Sequence, residues 1–393
     1  MSQSARHSIW FLPALCLAGL AANVSGRTTE PLITIIASDL SVSISTAALL
    51  TSVYALPFAL GQPLLGPLGD IYGKALILKR SLLALAISLL VAAFAPTIGI
   101  LAAARFCAGL AAGGVVPACM ATLGDAYPPE KRQQAISIFV TMGLFAQIFA
   151  TSASGLVGEA YGWRSVLLGT AAFGIVGVIA AWSVLTSVGT ARQSFSVKLV
   201  IANYRSVFEN PKAVLCYSTV FLEGVGLYGL LPYVGAILQE RALGSAREAG
   251  IIIGALGIGG LVYVTLVSAL LKKFNRTHFM AAGGLLMVPG PIALAFMPSW
   301  IMIAICFGVT GLGFMLLHNS IQTEAVDLAP NARQSAYSLH ALCFFIGQAT
   351  GPIWFGLWHS GFGFALPTVL SGVILLTTGL IMAKLFARLA RSG

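Results

Sequence analysis

The stretch Gly66-Pro67-Leu68-Gly69-Asp70-Ile71-Tyr72-Gly73-Lys74 joins two apolar segments that are each long enough to cross a lipid bilayer. Its flanks, residues 45–65 and 81–95, are nearly free of charged residues. Glycine and proline allow the backbone to bend sharply, and glycine lets flanking helices approach their neighbours closely. We therefore predict a charged turn at a membrane face. Asp70 and Lys74 could form interactions that stabilise a closed state and that break in an open state.

The composition indicates an integral membrane protein. Of its 393 residues, 58% are hydrophobic and 9% are charged, against roughly 25% charged residues in soluble domains. The apolar runs are continuous rather than alternating, which argues against a β-barrel. We predict an all-α integral membrane protein with twelve transmembrane helices. These segments 1 to 12 are expected at residues 9–37, 45–66, 79–95, 98–124, 133–157, 164–187, 213–238, 247–271, 278–297, 300–326, 334–358 and 363–386.

The net charge of +10 does not indicate nucleic-acid binding, because its distribution follows the membrane. Most of the 22 basic residues fall in alternate loops, for example Lys79, Lys131 and Lys272, whereas few fall in the opposite loops. This asymmetry predicts that both termini are cytoplasmic. The apolar start of the chain runs on through Arg27 and Glu30, so we interpret it as segment 1 rather than a signal peptide. The six cysteines lie in apolar segments without C-x-x-C spacing and indicate no disulfide or metal framework.

The chain also repeats itself. The loop Pro129-Glu130-Lys131-Arg132-Gln133-Gln134-Ala135-Ile136-Ser137 matches Pro330-Asn331-Ala332-Arg333-Gln334-Ser335-Ala336-Tyr337-Ser338 at an offset of about 201 residues, and the same offset relates Gln147 to Gln348 and Gly155 to Gly356. This predicts two pseudo-symmetric six-helix bundles at residues 1–187 and 213–393, joined by a cytoplasmic linker at 188–212. Because one chain holds both halves, we expect a monomer.

The opening stretch resembles the G-x-L-a-D-x-x-G-[RK] signature of the major facilitator superfamily in Gly69, Asp70, Gly73 and Lys74. Arg105-Phe106-Cys107-Ala108-Gly109 in segment 4 and Gly162-Trp163-Arg164 before segment 6 resemble further signatures of that superfamily, and the chain looks most like its twelve-helix drug and sugar efflux branch. The resemblance implies alternating access between two bundles, with the substrate site at their interface. It also implies a gate, in which Asp70 faces the start of segment 11. The residues assigned to this gate are Gly66, Gly69, Asp70, Gly73, Lys74, Arg132 and Arg333.

One departure from the branch leaves the transport direction open. Antiporters of this branch usually carry Gly-Pro-x-x-Gly-Gly in helix 5, where this chain has Ala150, Thr151, Ser154 and Gly155. A related Gly351-Pro352 lies at the equivalent position of segment 11.

Charged residues inside spans are the first candidates for a site, because each costs on the order of 2.5 to 3.5 kcal/mol at a helix centre. In segment 1, the spacings of 4, 3 and 4 residues place Asn23, Arg27, Glu30 and Thr34 on one stripe. Arg105 could lie at the same depth, so that Arg27, Glu30 and Arg105 form one charged cluster. Arg27 and Glu30 form either a permanent salt bridge or one that Glu30 exchanges for a proton or substrate.

The second half offers Glu223, which lies mid-span in segment 7 with no basic residue within a helical turn. It is either a proton-binding carboxylate or a hydrogen-bonded packing residue. Tyr228 lies nearby, and His318 and Gln322 share a face of segment 10. Further polar groups that could line a cavity are Gln147, His340 and Gln348.

The first functional prediction is proton-coupled efflux of a small organic compound such as a drug, sugar or metabolite, from a bacterial inner membrane. The second is a carrier for a small organic anion bound by Arg27 and Arg105, in uptake or facilitated mode. A third is a membrane sensor that transports nothing. No P-loop, nucleophile elbow or metal-ligand cluster indicates an enzyme or a cofactor. The expected partners are a small-molecule substrate, protons and the lipid bilayer, without nucleic acid.

Overall fold

The computed structural model describes residues 9–185, 197–330 and 332–389, and these residues form helices without a β-strand. Eleven of the described helical segments are long and apolar enough to cross a membrane. Their outward faces carry exposed apolar side chains such as Phe149, Ile179 and Leu357, which suits contact with lipid. The prediction of an all-α membrane protein is confirmed.

The helices of the first half are α1 (Phe11–Arg27), α2 (Ile33–Asp39), α3 (Ile44–Tyr72), α4 (Lys74–Ala93), α5 (Ile98–Ala126), α6 (Pro129–Tyr161) and α7 (Trp163–Val184). Segment 1 is therefore two helices, α1 and α2. A 3₁₀ turn, Glu30–Leu32, separates them, and Pro31 within it cannot supply the backbone N–H that a continuous α-helix requires.

The helices of the second half are α8 (Val197–Phe208), α9 (Ala213–Glu223), α10 (Val234–Glu240), α11 (Ala246–Leu270), α12 (Arg276–Leu286), α13 (Pro289–Phe296), α14 (Trp300–Asp327), α15 (Arg333–Phe362) and α16 (Ala365–Leu389). Segment 7 is interrupted as well. A π-helical turn, Gly224–Tyr228, follows α9, and a 3₁₀ turn, Leu231–Tyr233, precedes α10.

One sequence-based boundary is wrong. The stretch from Gly66 to Tyr72 is not a turn, because α3 continues to Tyr72 and only Gly73 leaves the helix, at φ 102° and ψ 126°. This backbone conformation is accessible to glycine and strained for other residues. The predicted linker at 188–212 contains α8, which packs against α15 and α9. Residues 186–196 lie outside the described residues.

Contacts divide the chain into two compact units between residues 195 and 196. In the first unit, α5 packs against α3 and α4, and α1 packs against α6 and α7. In the second unit, α14 packs likewise against α11 and α12, and α9 packs against α15.

The offset of 201 residues found in the sequence also relates the backbones of the two units. Ser41 and Ala242 are the two non-glycine residues with positive φ among the described residues, and both have φ 52°. Gly162 has φ 80° and Gly363 has φ 71°. The 3₁₀ turns around Pro31 and Pro232 follow the same offset. Each unit thus repeats the same irregular backbone, with different side chains.

Candidate functional site

In the first unit, the break in segment 1 holds a buried ion pair. Arg27 ends α1 and Glu30 begins the 3₁₀ turn, and Arg27 Nη1 lies 2.9 Å from Glu30 Oε1. Arg27 Nε also donates to Gln147 Oε1 of α6 at 3.3 Å, and Gln147 Nε2 donates to Asn23 Oδ1 at 3.5 Å. Four residues singled out in the sequence are therefore joined in one network. Thr34 follows the break, on α2, so the four-residue stripe predicted for segment 1 does not lie on one continuous helix.

Arg105 of α5 is fully buried beside this network. Its Nη1 donates to the backbone oxygen of Ser25 at 2.7 Å, and its guanidinium carbon lies 4.3 Å from the centroid of the Tyr54 ring. Tyr54 and Ser25 are joined through their hydroxyls at 2.8 Å. Arg105 interacts electrostatically with Glu30, but no hydrogen bond joins the two. The predicted three-residue cluster is thus an ion pair with a second, separately held arginine nearby.

Several buried polar atoms in this region have no hydrogen-bond partner. They are Arg105 Nε and Nη2, Glu30 Oε2, and the side-chain oxygens of Thr29, Thr34 and Ser52. Leaving such groups unsatisfied costs about 1 to 3 kcal/mol each, so this part of the unit is suited to water or a polar ligand. Tyr54 and Ser25 were not singled out from the sequence. The available signal was that Tyr54 is a lone tyrosine in an apolar segment.

In the second unit, Glu223 ends α9 and is completely buried. Its Oε2 lies 2.8 Å from Nδ1 of His318 on α14, while its Oε1 has no partner. Glu223 therefore has a partner outside its own helix. Its partner lies 95 residues later in the chain and is a histidine, so neither helical spacing nor a search for Lys and Arg could find it.

Aromatic rings surround this pair. The Phe314 ring stacks on His318 with centroids 5.0 Å apart, and the Phe344 ring lies 4.6 Å from it. Tyr228 packs edge-on against both phenylalanines. His340 of α15 is also in contact, with its ring centroid 4.9 Å from that of His318.

The remaining polar residues predicted here lie on the same two helices. Gln322 is half-buried one helical turn after His318 on α14. Gln348 is buried on α15, and its Nε2 has no hydrogen-bond partner.

Close packing of glycines brings segment 7 against α15. A Cβ atom on Gly351 would lie 2.7 Å from the Cα of Gly229, and one on Gly224 would lie 2.5 Å from the backbone oxygen of Phe344. These distances leave no room for a side chain. The contact flanks the π-helical turn that follows Glu223, and such turns occur frequently at functional sites.

The residues of the predicted gate are only partly brought together. Lys74 Nζ binds Asp125 Oδ2 at 2.6 Å, which joins the start of α4 to the end of α5. Arg132 Nε donates to the Tyr127 oxygen at 3.4 Å, and Arg333 is exposed at the start of α15. Gly66 and Gly69 lie within α3. The side chain of Asp70 lies outside the described side chains.

A third ion pair joins the opposite ends of the helices in the first unit. Asp39, at the end of α2, accepts hydrogen bonds from Arg164 Nη1 and from Trp163 Nε1, the latter at 3.0 Å. Arg164 Nη2 also donates to the Ala95 oxygen at 3.2 Å. The hydrogen bond from Arg164, with that from Trp163, holds the pKa of the Asp39 carboxyl below its usual value.

No group of three or more His, Cys, Asp or Glu side chains within the described ranges is arranged to hold a metal ion. The described residues form two helical units, and each unit contains a pair of charged or ionisable side chains inside a membrane-spanning segment. Such groups mark pathways for ions and solutes, and together with the fold they define a polytopic membrane transporter.

The comparisons with known proteins name the family. The profile of the Major Facilitator Superfamily matches residues 15–262 and 213–392. The chain therefore belongs to the major facilitator superfamily, and it is a transporter rather than an enzyme.

Three curated relatives cover most of the chain. An uncharacterized MFS-type transporter, YwfA of Bacillus subtilis, is 25% identical over 90% of this chain and 86% of its own. A chloramphenicol resistance protein of Streptomyces lividans is 24% identical over 86% of each chain. The purine ribonucleoside efflux pump NepI of Escherichia coli is 22% identical over 76% of this chain and 74% of its own.

The fold is also shared with solved structures. A bacterial homologue of the human lysosomal transporter Spinster superposes with a TM-score of 0.77, covering 99% of both chains at 16% sequence identity. At that identity the likeness concerns the fold alone.

Proposed function

We propose that this chain is a proton-coupled efflux carrier for a small organic compound, working by alternating access in the bacterial inner membrane. The observation that carries the proposal is the buried Glu223–His318 pair, in which a carboxylate and an imidazole 2.8 Å apart can share one proton. Inward movement of a proton releases about 2.3 kcal/mol per 100 mV, which is sufficient to drive accumulation on the other side.

The first unit supplies a second exchangeable carboxylate in this proposal. Glu30 is bound to Arg27 through Oε1 while its Oε2 is unoccupied, so it can accept a hydrogen bond from a substrate or take up a proton. The names of two relatives, an efflux pump and a resistance protein, support the outward direction. The bacterial relatives support the inner membrane, and both termini are proposed to be cytoplasmic.

Purified protein in liposomes with an internal pH-sensitive dye tests the proposal. A panel of cationic, neutral and anionic solutes, including chloramphenicol and a purine ribonucleoside, is added under an imposed pH gradient. We expect proton flux that depends on a cationic or neutral solute and is lost in Glu223→Gln, because the amide cannot exchange a proton. Glu209→Gln, which alters an exposed carboxylate, is the control and should transport normally. Coupling that persists in both Glu223→Gln and Glu30→Gln would contradict the proposal.

A second candidate is a carrier for organic anions. It is favoured by one observation, the two buried guanidinium nitrogens of Arg105 that have no partner, since a guanidinium binds carboxylate or phosphate strongly. In the same experiment it predicts movement of anions without proton flux, lost in Arg27→Ala or Arg105→Ala. A chain that moves none of the solutes would instead support the sensor.

A further inference from the structure

His340, which the sequence suggests only as a cavity-lining group, lies directly against the Glu223–His318 pair. It is 1% exposed, and its Nε2 has no hydrogen-bond partner. Its ring meets that of His318 in a T-shaped contact, with an interplanar angle of 66°. A buried imidazole nitrogen without a partner is costly, so its position beside another histidine calls for an explanation.

The surroundings of the three groups limit the charge that they can carry. The Phe314 and Phe344 rings pack on His318, and Tyr228 packs in turn on Phe314, so the surroundings are largely apolar. Separating charge in such an environment is unfavourable unless the charges are paired. One proton shared with the Glu223 carboxylate leaves the cluster neutral. A second proton gives it a net positive charge, either as two neighbouring imidazolium rings that repel each other or as one imidazolium beside a neutral carboxyl.

Other titratable groups on the helices that pack against α9 do not supply a compensating charge. On α14, Glu324 and Asp327 are bound to Arg276, at 3.0 and 3.1 Å. On α9, Tyr217 donates its hydroxyl to the Ala336 oxygen, and Cys216 is a buried free thiol. The other titratable groups with described side chains on these helices are Tyr204 and Arg205 of α8, Arg333, Tyr337, Cys343 and His359 of α15, Lys384 and Arg388 of α16, and Cys306 of α14. None of these has a described hydrogen bond to Glu223, and Lys384 and Arg388 are exposed.

We infer that Glu223, His318 and His340 hold one exchangeable proton between them, with His340 as the residue that positions it. When the proton resides on Nδ1 of His318, the imidazolium faces the Glu223 carboxylate and a neutral His340 ring. When it crosses the hydrogen bond to Oε2 of Glu223, the carboxyl and both imidazoles are neutral, and no charge is gained or lost. The nitrogen lone pair of His340 favours the first arrangement. This inference rests on the proposed function and names the residues of its proton site.

Infrared difference spectroscopy of the purified protein tests the inference without any solute. The band of the protonated Glu223 carboxyl is assigned by its absence from Glu223→Gln and is followed against pH. In His340→Phe, which keeps a ring but removes the lone pair, we expect the band to appear at a pH about one unit higher, because the proton then resides more on the carboxyl. His340→Gln, which keeps a hydrogen-bond acceptor, should remain close to wild type.

His359→Phe is the matched control, because His359 lies on the same helix with an unpartnered buried Nδ1 but stacks on Phe364, 3.8 Å away between centroids. An unchanged band in His340→Phe, or equal shifts in His340→Phe and His359→Phe, would overturn the inference.

A second measurement does not require a stable His340 variant. Nitrogen-15 NMR of histidine-labelled wild type, with signals assigned through His318→Gln, counts the imidazolium rings of the cluster as the pH falls. At most one ring is expected. Two rings together, or one full imidazolium at a pH where the infrared band shows Glu223 fully protonated, would overturn the inference. Because neither measurement involves transport, a carrier that does not couple to protons would fail the liposome experiment and leave these results unaffected.

Discussion

At the scale of single residues, the buried charges of this transporter are held by partners within their own unit. Arg27 binds Glu30, and Glu223 binds His318. Removing one member of a buried pair leaves an uncompensated charge at a cost of about 3 to 5 kcal/mol, so Arg27→Ala is expected to affect stability as well as transport. An exposed ion pair contributes much less to the free energy of unfolding. Asp39 with Arg164 is such a pair.

For Asp39 the direction of the pH effect follows from its lowered pKa. The pair stabilises the folded state above the ordinary carboxyl pKa of about 3.9, and this contribution is lost as the pH falls through the lower pKa of the folded state. Since both side chains are about 40% exposed, it amounts to at most about 1 kcal/mol. We expect Asp39→Asn to have a lower melting temperature than wild type at neutral pH and the same melting temperature in strong acid.

Thermal unfolding in detergent at both pH values measures this difference. Glu209→Gln removes a carboxylate that lies 3.9 Å from Arg205 at an exposed position and serves as the surface control. A deficit of Asp39→Asn that is equally large in strong acid would show that the ion pair is not its cause.

At the scale of elements, the interruptions of segments 1 and 7 place the candidate residues. Arg27 and Glu30 flank the end of α1, and Glu223 is the last residue of α9 before the π-helical turn. The second interruption is packed against α15 through glycines. Because backbone meets backbone there, even one added methyl group must move a helix.

We expect Gly351→Ala to destabilise the second unit by about 1 to 3 kcal/mol, the usual cost of overpacking. The new Cβ would lie 2.7 Å from the Cα of Gly229, which cannot move away alone. Gly361→Ala is the matched control on the same helix, because its Cβ would meet no atom within 4 Å. Thermal unfolding of the two variants compares them, and equal midpoints would mean that the glycine contact is not tightly packed.

At the scale of the whole molecule, the chain consists of two units with the same helix pairing and the same positive-φ positions. Their side chains have diverged, since Arg27 of the first unit corresponds to Tyr228 of the second at the offset of 201 residues. In our proposal the two units therefore contribute different chemistry, an arginine–glutamate pair from one and a glutamate–histidine pair from the other.

The predicted gate at Asp70 belongs to this scale, because it concerns the equilibrium between the states of the carrier. If Asp70 holds the cytoplasmic side closed through the positive end of the helix that starts near Arg333, then Asp70→Asn shifts the population towards the inward-open state. We expect faster thiol labelling of single cysteines placed at Ser137 and Ser338 in a cysteine-free chain. Labelling rates that match those of the parent with Asp70 intact would contradict the role.

The sequence by itself determined the class of fold and the family. Continuous apolar runs, the charge asymmetry and the spacing of Gly69, Asp70, Gly73 and Lys74 are local properties, so the all-helical membrane fold and the repeat could be predicted from them. It also indicated Arg27 and Glu30 as neighbours, because they are three residues apart. The exact ends of the helices could not be predicted, as the continuation of α3 to Tyr72 shows.

Only the tertiary structure decided which distant residues meet. Glu223 finds His318 and His340 on two other helices, and Arg105 finds Tyr54 and the Ser25 carbonyl. These partners lie many residues apart, and helical periodicity specifies a face of one helix but not the helix that faces it. The glycine contacts and helix interruptions that align these faces depend on packing, which a pattern along one chain does not contain.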